Sequence, residues 1–187
     1  GVGYAYISEQ PAHIDALKAP GLLIISFYNN VTAEIVNALD RYVKRGGDII
    51  WIAPDNNLFR KGLNLNSLTG ITGTRGFKNE RINLQVSDGV FGKSIESLPV
   101  KIGGSSLVTE NAKIIARLDT NEPVVSIYSK EKGNVVVVGF QLMYSNSPQI
   151  MQYFRDAIIG LQTRAGITGS DPMGEKRKQW IDWRAGY

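Results

Sequence analysis

Three polar stretches hold the residues that could do chemistry. Ser26-Phe27-Tyr28-Asn29-Asn30 ends one apolar run, Pro54-Asp55-Asn56-Asn57 ends a second, and Gln141 to Asn146 (QLMYSN) ends a third. Each run reads as a buried strand, and in an open α/β sheet ligands bind outside the carboxyl ends of the strands. Tyr28, Asn29, Asn30, Asp55, Asn56, Asn57, Gln141, Tyr144 and Asn146 would then gather on one edge. Amides and aromatic rings supply donors, acceptors and flat apolar faces, which suits a neutral polyhydroxylated ligand such as a sugar. The same Asn and Asp residues also serve turns and caps with no ligand at all.

Catalytic chemistry is harder to assemble from these residues. The chain has no cysteine, which excludes disulfides, a thiol nucleophile and cysteine-based metal sites together. Its one histidine is His13, ahead of the first long apolar run. A serine hydrolase needs Ser, His and a carboxylate in mutual reach; Ser26 follows an apolar run but stands in no G-x-S-x-G. Glycoside hydrolysis needs two acids across one cleft. Asp55 has the right place, no second acid joins it at another strand tip, and Glu122 precedes a strand, at the wrong end. No calcium-loop spacing occurs. The glycines from Gly70 to Gly76 (GITGTRG) follow a short helix instead of a strand, so they read as a structural loop and not as a phosphate cradle. The expectation is no catalytic residue, no metal and no cofactor.

The elements that must position the three loops follow from periodicity. LLIISF (22–27) and DIIWIA (48–53) are apolar runs of strand length, as expected of strands covered on both faces. Between them, residues 32–45 predict a helix: Thr32 as N-cap, Ile35, Val36, Leu39, Tyr42 and Val43 as one apolar stripe, Glu34 early, and Lys44 and Arg45 late. Gly46 or Gly47 supplies its left-handed cap. Strand, helix and strand make a right-handed βαβ unit. Val2–Ile7 reads as a short strand, Pro11–Leu17 as a helical turn, and Leu63–Leu68 as a short helix ending near Gly70. INLQV (82–86), AKIIARL (112–118), PVVSIYS (123–129) and NVVVVGF (134–140) read as strands. Glu131-Lys132-Gly133-Asn134 makes an antiparallel hairpin of the last two. Ser147-Pro148 opens a closing helix with apolar positions Ile150, Met151, Phe154, Ile158 and Leu161. The division is one α/β domain over 1–164 and a linker with an arm over 165–187.

The chain has 187 residues, 43% hydrophobic and 20% charged, with a net charge of +4. That describes an ordinary globular domain, and the basic excess is too diffuse for a dedicated nucleic-acid binder. No apolar run approaches the roughly 20 residues of a membrane-spanning helix. The sequence begins at Gly1 and not Met, consistent with a processed product, and a cysteine-free chain leaves the compartment open. Asn30-Val31-Thr32 is a glycosylation sequon, although Thr32 is also wanted as a cap. In the arm, Trp180 and Trp183 stand three apart beside Arg177 and Arg184. On a short helix they share a face, and large aromatics beside arginine are typical anchors of protein interfaces. Two fates are open to this arm: docking on a protein neighbour, whether another protein or a second copy, or folding back on its own domain.

The succession of apolar strand, VTAEIVNALDRYVKRGGDIIWIA and the late KGNVVVVGF resembles the class I glutamine amidotransferase-like superfamily, over roughly residues 20–164. The resemblance implies a flavodoxin-like sheet: a parallel core, an antiparallel strand pair in the C-terminal half, and helices on both faces. Active members carry a nucleophilic cysteine on a strand-to-helix elbow and a histidine from a later strand. Here the corresponding late strand ends in Gly139-Phe140-Gln141, and glutamine cannot shuttle a proton. The resemblance therefore implies a non-catalytic member, a binding or assembly module. The wider group includes the trehalose-utilisation-like proteins and the middle domain of some β-galactosidases, so a carbohydrate-binding or carbohydrate-processing protein is the alternative.

Overall fold

The computed structural model describes residues 10–17, 21–26, 31–52, 63–79, 82–86, 95–98 and 102–140, and helical positions at 148, 152, 155, 156, 159 and 160. In chain order the elements are α1 (Pro11–Asp15), β1 (Gly21–Ser26), α2 (Ala33–Lys44), β2 (Gly47–Ile52), α3 (Asn66–Thr69), β3 (Ile71–Asn79), β4 (Ile82–Val86), β5 (Ile95–Leu98), β6 (Ile102–Thr109), β7 (Lys113–Leu118), β8 (Pro123–Lys130) and β9 (Gly133–Val138). The expected strand at Val2–Ile7 and the arm from residue 165 lie outside the described residues.

Helix α2 forms for the local reasons its sequence contains. The Thr32 hydroxyl oxygen accepts a hydrogen bond from the Ile35 N–H at 3.3 Å, with Thr32 itself extended, which satisfies one of the donors a helix start leaves open. Glu34 sits in the first turn and Arg41 and Lys44 in the last, each at the end whose partial charge it opposes. Ile35, Val36, Leu39, Tyr42 and Val43 are all buried, with Ala38 between them. Gly46, at φ +101°, turns the chain out of the helix. Gly47 has a separate task, because a Cβ there would fall 2.6 Å or less from ring atoms of Tyr42. The paired glycines thus divide the work: one bends the backbone and the next admits a ring.

Seven strands form one sheet in the order β1-β2-β9-β8-β7-β4-β5, and β3 and β6 form a second, two-stranded antiparallel sheet. β1, β2 and β9 are parallel; β9-β8, β8-β7, β7-β4 and β4-β5 are antiparallel. The fold is therefore mixed α/β. The β8–β9 hairpin turns on Glu131 and Lys132, with Glu131 at φ +51° and Lys130 opposite Gly133. On one sheet face Ile25, Trp51 and Val137 stand in register. They share a core with Ile14 of α1, Ile35 and Leu39 of α2, Leu68 of α3 and Leu107 of β6. All three of these helices accordingly pack on that one face. The other face of the parallel strands, with Ile50, Ile52, Val136 and Val138, is buried as well. Each such side chain contributes roughly 1.5–3 kcal/mol on leaving water.

Three expectations need correction. The glycine-rich stretch at 70–76 is not a loop: Gly70, at φ +68°, caps α3, and the chain then runs straight into β3. Small residues hid this strand, as they hid β6. The antiparallel part is larger than a pair, because β7, β4 and β5 extend the sheet beyond the β8–β9 hairpin. β1 is less enclosed than β2, with Ile24 40% exposed; among the described residues it pairs only with β2, so its outer edge has no strand to shield it.

Gly133 begins β9 against the end of α2. A Cβ there would overlap the carbonyl oxygen of Gly47 and come within 2.6 Å of that of Val43. Both obstacles are backbone, which cannot swing aside as a side chain can. Gly133→Ala should therefore destabilise the protein by about 1–3 kcal/mol, the range for overpacking, and by more than Thr32→Ala, which removes a cap worth about 1 kcal/mol. Urea unfolding of the two variants tests the order; Gly133→Ala unfolding at the wild-type midpoint would refute the contact.

Candidate functional site

The parallel strands end level with one another. Ser26 lies opposite Ile52 and Ile52 opposite Val138. Adjacent strands are about 4.8 Å apart, so the chain leaves the sheet three times along one edge, after residues 26, 52 and 138, within about 10 Å. These are the exits expected from the apolar runs. The side chains proposed from sequence to follow them, Tyr28, Asn29, Asn30, Asp55, Asn56, Asn57, Gln141 and Tyr144, lie outside the described residues. So do Arg177, Trp180, Trp183 and Arg184 of the arm. The structure brings together the strand ends that precede the first set.

The third exit is fixed by a feature that sequence reasoning missed. Beyond β9, the Gly139 N–H donates to the Val124 carbonyl at 2.8 Å, while its own carbonyl accepts from the Ser105 N–H at 2.6 Å. One residue thus joins the seven-stranded sheet to the β3–β6 ribbon. Phe140 follows, 1% exposed and bridged to Gly104. The approach needs glycine on both sides: a Cβ on Gly104 would overlap the Gly139 carbonyl oxygen and lie 2.9 Å from Phe140 Cα, and one on Gly139 would overlap the Ser105 carbonyl oxygen. The available signal was two separated small-residue stretches, Gly103-Gly104-Ser105-Ser106 and Gly139, each too ordinary to mark a contact.

A network of ion pairs ties the opposite edge. Arg41 Nε and Nη2 donate to the two carboxylate oxygens of Asp15 at 3.0 and 2.7 Å, and Arg45 Nη2 donates to the carbonyls of Asp15 and Leu17 at 3.1 and 3.4 Å. The hydrogen bonds from Arg41 hold the Asp15 carboxyl below its ordinary range. His13, exposed and two residues earlier, therefore sits by the last turn of α2, near the start of β2 and away from the three strand tips. Asp40 is held between Lys130 and Lys44, at 2.5 and 3.0 Å. Lys130 Nζ also donates to the Ser67 carbonyl at 2.6 Å, which ties the β8–β9 hairpin to α2 and α3. Burial acts to raise the Asp40 pKa, but the hydrogen bonds from Lys130 and Lys44 outweigh it and the net direction is down.

Asp48, 2% exposed, accepts from the Asn134 N–H at 2.8 Å and from Asn134 Nδ2 at 2.9 Å. The Ser129 hydroxyl lies 2.8 Å from Asn134 Oδ1 and completes a chain of polar contacts across the hairpin. Burial, with the Asp48 charge adding to it, pushes the Tyr42 hydroxyl up to about 12. Among the described residues no three His, Cys, Asp or Glu side chains cluster so as to hold a metal, and no helix is long and apolar enough to cross a membrane.

No family model and no curated protein sequence matches the chain. Solved structures do. A cytoplasmic protein of Salmonella typhimurium superposes with a TM-score of 0.60 at 15% identity, over 84% of this chain and 76% of that one. A second cytoplasmic protein, from Salmonella typhimurium LT2, gives 0.57 at 16% identity, over 83% and 75%. The polyextremophilic β-galactosidase of the haloarchaeon Halorubrum lacusprofundi gives 0.59 at 14% identity, over 84% of this chain and 24% of that one. At such identities the likeness is one of fold, and this chain spans about a quarter of the β-galactosidase.

Two pH responses follow from the charged edge. Asp40 is depressed in the folded state, so its contribution is present above the unfolded carboxylate value of about 3.9 and is lost as pH falls through the lower folded value. Asp40→Asn should be less stable than wild type by about 1–2 kcal/mol at pH 7, with the gap closing below about pH 4; a gap independent of pH would sink the pairing. Tyr42 is raised, so the stability it protects is present below about pH 10 and is lost as pH climbs toward 12. Tyr42→Phe should lose less stability than wild type over that alkaline interval, as read from unfolding midpoints.

Proposed function

We propose that this chain is a non-catalytic binding or assembly module of a larger complex, on a flavodoxin-like scaffold of the amidotransferase-like kind. The polar loops leaving β1, β2 and β9 form its binding edge, and the arm carrying Arg177, Trp180, Trp183 and Arg184 contacts a protein neighbour or a second copy. The observation that carries this reading is the separation of chemistry from geometry. The three strand tips converge on one edge, whereas the chain's single imidazole stands by Asp15 near the other, and there is no thiol anywhere. Acyl transfer needs a nucleophile and a proton-transferring base within hydrogen-bond reach. A fold that makes up about a quarter of a β-galactosidase supports the idea of a module working inside something larger.

A second reading keeps the same edge and gives it a neutral sugar. It is favoured by the amide and aromatic composition of the loops that follow the three tips, and by the likeness to a protein described as a β-galactosidase. Asp55 is then the residue that would accept from a sugar hydroxyl.

Truncation after Gly169 separates assembly from simple folding. The full-length chain should elute above its monomer mass, alone or in native extract, and the truncated chain at monomer mass with an unchanged melting temperature. Equal elution of the two would end the assembly reading. For the second reading, a thermal-shift screen with neutral mono- and oligosaccharides should raise the melting temperature by a few degrees, and Asp55→Ala should abolish the rise. A flat response across the screen removes the sugar.

A further inference from the structure

We draw no further inference here: the strongest candidate, the outer edge of β1 with Ile24 exposed beside it, carries nothing because among the described residues β1 pairs only with β2 and nothing in the structure shows what covers that edge.

Discussion

Strand β9 is gripped at both ends by backbone contacts that leave no room for a side chain, and the rest of the fold is arranged around it. It enters the sheet at Gly133, pressed on the carbonyls of Gly47 and Val43, and it leaves at Gly139, pressed on the carbonyl of Ser105. Between these points lie Val135 to Val138, all buried, whose β-branched side chains suit a pleated and enclosed surface. Close packing of backbone on backbone is sensitive to a single methyl group, since dense interiors have few places to move it. The first grip sets how far α2 stands from the sheet. The second sets where the β3–β6 ribbon docks.

From β9 the sheet acquires its two halves. On one side β2 and β1 run parallel to it, with α2 between them in the chain. On the other side the hairpin at Glu131-Lys132 reverses direction, and β7, β4 and β5 continue antiparallel. The reversal decides which ends of the strands can meet. The parallel half sends three neighbouring strand ends to one edge, which brings the segments that follow residues 26, 52 and 138 close together there.

The parts legible in the sequence were those whose cause is local. α2 could be read from its cap at Thr32 to its exit at Gly46 because capping, dipole and a 3.6-residue stripe all act within the helix itself. β1, β2 and β9 could be read from the lengths of apolar runs, and the hairpin from its turn. β3 and β6 could not, because ITGTRGFKN and IGGSSLVT lack the bulky alternation that marks a strand. A glycine such as Gly104 matters through what its missing Cβ allows another segment to do, and that segment is 35 residues away in Gly139. Run length also says nothing about neighbours, which is why the place of β1, beside β2 alone among the described residues, was unreadable. For the candidate site, the exits from the sheet were legible, whereas the loop residues chosen for it, Tyr28 to Asn30, Asp55 to Asn57, Gln141 and Tyr144, lie outside the described residues.

The distribution of charge bears on what holds the two edges of the sheet. Asp15, Asp40, Arg41, Arg45 and Lys130 are committed to one another or to carbonyls at the edge where β2 begins. They knit α1, α2, α3 and the hairpin together there, whereas at the opposite edge Arg117 donates to the Asn121 carbonyl within its own β7–β8 turn. A scaffold tied at one edge can vary its loops at the other without loss of fold, and this is how one architecture comes to carry unrelated functions. The likeness to a segment of a β-galactosidase at 14% identity is of this kind, a likeness of fold.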